Sequence, residues 1–286
     1  MLIAALVAAS LAVAPACGSA TSVSSSSAPS TTHATNTKVL LTAASATRAT
    51  GSAYLTMDMT MPSAAGTIQA HATGVFRMGS PALGEMRLKM QVPTGQKVAM
   101  EERILGTVIY MRSPVFGQAL PHGKRWIKLD LSRMGSAGSA LGSVMNSGQS
   151  DPTQSLSYLQ ATADTMQNEG TEDVAGVSTT HYHAEVVFKK AVKLLVQRVP
   201  AAQRPALRRV YAQFEAQTGI TDYPIDVWID GKGLVRKVHF SMPMLSSGEM
   251  MSMTVTMSRF GAPVRISAPP AGQVADISSL SPAAQE

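Results

Sequence analysis

The chain has 286 residues, of which 45% are hydrophobic, with a formal net charge of +6 and a single cysteine. That apolar content suits one large domain with a sizeable core, and a lone cysteine closes no internal disulfide, so packing alone must hold the fold. Scattered charges, only 5% aromatic residues and the lack of a recognition helix or stacking strip argue against a nucleic-acid partner.

The N-terminus opens on an uncharged apolar run from Leu2 to Ala16, which is too short to cross a bilayer and closes on small residues. It reads as an export signal. Cys17 ends the run and is followed by Gly18 and Ser19, an arrangement that resembles the bacterial lipobox, in which the cysteine is acylated and becomes the new N-terminus. Ala14 and Pro15 depart from the usual lipobox residues, and the alternative is an ordinary signal peptide with an incidental cysteine. Residues 1–17 are thus the expected signal, and the Ser/Thr/Ala tract of 18–37 a flexible tether. Residues 38–286 make up a single domain, with no later segment long and apolar enough to be a transmembrane helix.

An alanine-rich helix is predicted from Lys38 to Thr50, after which the period changes to two. Ala53, Leu55, Met57, Met59 and Met61 alternate with polar residues, as do Ile68 to Met78 and then Met86, Leu88, Met90 and Val92. Such alternation marks half-buried antiparallel strands. Shorter strands are predicted over 97–105, 107–112 and 124–130. Leu131 to Gln149 reads as a Gly/Ser/Met loop, and Asp151-Pro152 opens a helix to about Ala163. A strand over 177–188, helices over 189–199 and 202–218, and strands over 223–230, 234–242 and 249–260 complete the reading. Asp230-Gly231-Lys232-Gly233 forms a hairpin turn, and the tail from Ala262 lies along the surface. The fold class is α+β: a long antiparallel sheet with one apolar face covered by a few helices.

Four segments carry a resemblance: Val108-Ile109-Tyr110-Met111-Arg112, Gly123 to Asp130, Gly170 to Gly176 leading into Thr180-His181-Tyr182, and Tyr223 to Asp230. Over about residues 38 to 262 the chain resembles the actinobacterial lipoproteins of the LppX/LprG type, relatives of the periplasmic carrier LolA. The matching segments are turns and strand starts, so they speak to fold more than to task. The resemblance implies a strongly curved antiparallel β half-barrel with capping helices on its concave apolar face. It also implies a cavity there that binds the acyl chains of lipids or lipoglycans.

The chain's 18 methionines fit that picture, because an unbranched thioether side chain repacks around varied apolar partners. The residues expected to line the cavity are Leu55, Met57, Met59, Phe76, Met86, Leu88, Met90, Val238, Phe240, Met251, Met253 and Val255. A solid methionine-rich core is the alternative. Met57-x-Met59-x-Met61 also has a spacing for soft Cu(I), but no Cys or His lies in the same run. His181 and His183 share a strand face without an identifiable third ligand, so no metal site is expected. Arg204 and Arg208, on the second mid-chain helix, are candidates for lipid head-group contact.

No nucleophile elbow, P-loop, dinucleotide fingerprint or H-E-x-x-H motif occurs, so neither catalysis nor a cofactor is expected. The sequence reads as an exported monomer, anchored to the outer face of the cell membrane through Cys17, that binds or transports lipid. Its rival is an envelope-anchored module with a filled core that binds other envelope proteins.

Overall fold

The computed structural model describes residues 31–78, 81, 83–117, 120–133, 166–243 and 249–277, with 31–37 and 198 described by backbone alone. The signal, Cys17, most of the expected tether, the helix expected from Asp151 and all but Leu131–Arg133 of the Gly/Ser/Met segment lie outside these residues. No described helix is long and apolar enough to cross a membrane.

The chain enters through α1 (Thr31–Ala49) and then forms β1 (Ser52–Ser63), β2 (Gly66–Arg77), β3 (Leu83–Gln91), β4 (Lys97–Leu105), β5 (Val108–Arg112) and β6 (Trp126–Asp130). After the central segment come β7 (Gln167–Val174) and β8 (Val177–Val187), followed by the helices α2 (Phe188–Arg198) and α3 (Arg204–Thr218). The chain then returns through β9 (Asp222–Asp230), β10 (Val235–Pro243), β11 (Met250–Ser258) and a short β12 (Val274–Asp276). α1 starts seven residues before the expected Lys38, since no Gly or Pro interrupts 31–38 and Pro29 is the last helix breaker upstream.

The twelve strands of the described residues belong to one curved, unclosed sheet in the order β12-β6-β5-β4-β3-β2-β1-β11-β10-β9-β8-β7. Two antiparallel meanders, β1–β6 and β7–β11, are joined where the first strand of one pairs with the last strand of the other, Met57 opposite Val255 and Met59 opposite Met253. β12 is the exception to antiparallel pairing: it lies parallel to β6, with Val274 opposite Trp126. The tail therefore does more than lie on the surface. It is tied down by the Ser52 hydroxyl donating to Ala262 O, Arg103 donating to Ser267 O and the Arg125 N–H donating to Gln273 O, and then it closes the β6 edge.

Alternation along the strands separates a polar face from an apolar one. On the polar face, Glu101 pairs with Arg103 at 3.0 Å and with Arg112, and both guanidinium groups lie over the Trp126 ring, at 4.9 and 5.1 Å from its centroid. At the β9–β10 turn the Asp230 carboxylate accepts the N–H groups of Lys232 and Leu234, each at 2.9 Å, and Arg236 Nε at 2.6 Å. Burial opposes ionisation of Asp230, but these hydrogen bonds outweigh it and hold its pKa below the usual value.

The three α-helices of the described residues all pack on the apolar face. Leu40 and Ala43 of α1 meet Tyr182, Ala184, Val227, Ile229 and Val235, and the buried Val235 N–H donates to Thr47 Oγ1 at 2.8 Å. Ala191 and Val196 of α2, with Leu207 and Tyr211 of α3, pack on Val186 and Tyr223. α2 and α3 therefore cover the β8–β10 end of the sheet. Two glycines on the apolar face allow close strand approach elsewhere. A Cβ on Gly74 would lie 2.2 Å from Glu85 O, and one on Gly84 would lie 2.4 Å from the Phe76 ring.

Candidate functional site

The candidate site is the apolar face where the two meanders meet. Strand register brings the expected lining residues to one side of the sheet. Leu55, Met57 and Met59 of β1 lie opposite Met257, Val255 and Met253 of β11, and Val238 and Phe240 of β10 lie opposite Val255 and Met253. On the other flank Met57 faces Ala72, which faces Leu88, while Ala70 faces Met90 and Gly74 faces Met86. Phe76 faces Gly84 in the same pairing, and Met251 faces Met242.

Most of these side chains gather into two adjoining clusters, whereas Val238 packs in the cluster under α1 and Met90 and Met251 join neither. Met57, Ala72 and Met253 form the buried heart of one, with Met59, Met86, Leu88, Phe240 and Val255 packed partly buried around them. Phe76, Ile104, Ile109 and Leu131 form the other, with Leu55, Met86, Met111 and Leu129 at its margin. Met86 belongs to both. Ala70, Ala72, Gly74 and Gly84 interleave with the long side chains, so small residues sit beneath flexible ones. Such a surface can change its own shape by rotamer change at low cost.

Glu102 is the one charged residue at an apolar-face position of β1–β6, opposite Met86 on one side and Met111 on the other. It keeps intermediate exposure and has no hydrogen-bond or ion-pair partner among the described residues. The apolar neighbours desolvate its carboxyl and push its pKa up. Alternation already carried the signal, since Val98, Met100, Glu102 and Ile104 share one side of β4.

The two histidines lie on the opposite, polar face, in a hydrogen-bonded network. Asp226 Oδ1 stands 2.9 Å from His181 Nε2 and 2.8 Å from His183 Nδ1, and Glu172 Oε1 stands 3.1 Å from His181 Nδ1. The His181 ring stacks on Trp228 at 4.3 Å, Lys237 Nζ lies 3.6 Å from the Trp228 centroid, and Trp228 Nε1 donates to Glu172 at 2.7 Å. Burial disfavours the Asp226 carboxylate, but hydrogen bonds from both histidines outweigh this and lower its pKa, and the same bond raises that of His183. No group of three or more His, Cys, Asp or Glu side chains suited to a metal ion occurs among the described residues.

Arg204 donates to the carbonyls of Val199 and Gln197, both at 3.1 Å, and so caps the C-terminal end of α2, whereas Arg208 is exposed on α3. A cleft of about 640 Å³ opens at the far end of β1–β4, lined by Asp58, Thr60, Gln69, His71, Lys89, Gln91 and Lys97 beside Met59, Ala70, Met90 and Val98. Polar and apolar side chains share this lining, and two of the expected lining residues, Met59 and Met90, are part of it.

No protein-family profile matches the chain, and no curated protein sequence matches it. Among solved structures it is similar to the lipoprotein LppX of Mycobacterium tuberculosis, at 18% identity and a TM-score of 0.47, over 82% of this chain and 99% of that one. It is similar to LprF of Mycobacterium bovis at 13% identity and a TM-score of 0.46, over 82% and 97% of the two chains. A LolA-superfamily protein of Nitrosomonas europaea matches at 9% identity and a TM-score of 0.23, over 77% and 90%. These neighbours are of the lipoprotein and LolA-like group that the sequence resembles.

Proposed function

We propose that this chain is an exported envelope lipoprotein, held at the outer face of the cell membrane by an acylated Cys17, whose apolar sheet face binds the acyl chains of a lipid or lipoglycan. In this reading the sheet is a half-barrel, its apolar face is concave, and the helices close over the bound chains. The observation that supports it is the partly exposed set Met59, Met86, Leu88, Phe240 and Val255, contributed by β1, β3, β10 and β11 around the buried Ala72 of β2. Each methylene moved from water onto such a face contributes about 0.8 kcal/mol, so even part of one acyl chain gives useful affinity. The work is non-covalent: tails are sheltered from water and then released to a membrane or a partner protein.

One observation favours the filled-core alternative. Met57, Ala72 and Met253 are already 5%, 1% and 1% exposed, as in a closed core. A carrier then takes up its ligand by displacing the half-exposed methionines around these three.

Native mass spectrometry of the protein as isolated, followed by organic extraction, separates the two readings. A co-purifying acylated lipid, lost on extraction and regained from added phospholipid or lipoglycan, supports the carrier. A mass free of lipid that stays so after such additions leaves the filled-core module.

A further inference from the structure

Seven of the chain's 24 basic residues lie between Phe188 and Thr218, against one of its 18 acidic residues, so this stretch alone carries a charge of +6. The 17 basic and 17 acidic residues elsewhere cancel, and the net charge of the whole chain therefore resides on α2, α3 and the turn between them.

The packing of the two helices turns that excess outward. Ala191, Val196, Leu207 and Tyr211 are buried toward the sheet, while Lys189, Lys190, Lys193, Arg208 and Arg209 are exposed. The single acidic residue, Glu215, is engaged by Lys189 at 3.1 Å, and Arg204 is turned back onto α2. Lys193, Arg208 and Arg209 have no ion-pair or hydrogen-bond partner among the described residues. At the tip between the helices, Pro200, Ala201, Ala202 and Pro205 are exposed, a small apolar prow flanked by the free cations.

We propose that the α2–α3 hairpin is an electrostatic docking surface for an anionic lipid bilayer. A charged lipid surface attracts a diffuse cluster of cations without demanding geometry, and the Pro/Ala tip suits the head-group boundary. Nucleic acid fits less well: the aromatic rings of this region, Phe188 and Tyr211, are buried and Phe214 is packed against the same core, so none is free to stack on bases. This inference rests on surface charge and stands whether or not the apolar face holds a ligand.

The test compares binding of the full chain to phosphatidylcholine vesicles and to vesicles that also contain phosphatidylglycerol. An acyl anchor or an acyl-chain site adds to both, so the ratio of the two affinities isolates the charge term. The triple variant K193E/R208E/R209E should lower that ratio on the order of 100-fold at low salt, with an unchanged circular dichroism spectrum. Added salt should shrink the wild-type ratio, because the screening length falls to about 8 Å at physiological ionic strength. A control variant away from the two helices, K89E/K97E/K124E on β3, β4 and the turn before β6, should leave the ratio within about twofold. Equal loss in both triples would mean that overall charge rather than the hairpin is felt, and overturns the proposal. So would an unchanged ratio in the hairpin variant, or duplex DNA that binds through these three residues more tightly than the anionic vesicles do.

Discussion

Under α2 and α3 the buried set is Val186, Phe188, Ala191, Val196, Val199, Leu207, Tyr211, Ile220 and Tyr223, without one methionine, and of the partly buried residues packed on it only Met242 is one. Where the two meanders meet, the same apolar face is built on Met57, Met59, Met86 and Met253. β-branched and aromatic side chains have few rotamers and settle into one arrangement, whereas methionine has several of similar energy. The contrast assigns different work to the two regions. Under the proposed function, the helix-covered end specifies and stabilises the fold, and the methionine seam keeps the freedom that an acyl-chain ligand requires.

The sharpest test of that division is stability. Phe188→Ala, which empties a buried site between the helices and the sheet, should cost about 3–5 kcal/mol in chemical denaturation. Met59→Leu, in the seam, should cost less than about 1.5 kcal/mol. Equal costs would erase the distinction. Next in size is Gly74→Ala, expected to destabilise by about 1–3 kcal/mol, since its Cβ would press on a backbone oxygen. Gly84→Ala should cost less, because the obstacle there is a ring that can turn.

Binding offers the complementary test. Met59 lies opposite Ala70 at the partly exposed rim of the seam, so Met59→Trp should fill the space above that alanine. Uptake of a fluorescent acyl lipid should fall roughly tenfold, about the worth of two buried methylenes, with the melting temperature little changed. Met253→Trp is a poorer probe, because at 1% exposure Met253 leaves no room and the variant tests packing instead.

The smallest effects are in pH dependence, and the two regions differ in its window. Glu102, in the seam, has a folded pKa above its usual 4.5, so its neutral form is favoured on folding and stability falls as pH rises from there through the folded value. Glu102→Gln should remove that slope in denaturant titrations run across the acid range. His183, on the polar side of the helix-covered end, has a folded pKa above its usual 6.5. Its contribution is complete below 6.5 and is lost as pH rises through the folded value, so His183→Gln should flatten the profile on the alkaline side of neutrality. Asp226, with its lowered pKa, contributes above its usual 3.8 and loses that contribution as pH falls through the folded value.

Much of this was legible in the alternation. The long strands β1, β2, β3 and β11 fall where apolar and polar residues trade places, and their phase puts the methionines together on the apolar face. β7 carries no alternation because Gln167–Asp173 is exposed and without an apolar side chain, and only Val174 at its end is buried: an edge strand outside the core has no buried face to write into its sequence. β12 is three residues long and takes its partner from a strand far away in sequence, so no local pattern announces it. The role of Asp226 was hidden for a related reason. Which histidines reach its carboxylate depends on the pairing of β8 with β9, and pairing is a property of the sheet rather than of the strand. Glu102 was legible by phase and was passed over among the charges of Lys97–Leu105.

The most direct test is nuclear magnetic resonance of the chain carrying methyl-labelled methionine, titrated with a diacyl lipid. Saturable shifts of Met57, Met59, Met86 and Met253, with Met166 beneath α1 unmoved, are the outcome predicted. Methionine signals that stay fixed at saturating lipid, or that shift throughout the protein alike, would contradict an acyl-chain site in the seam.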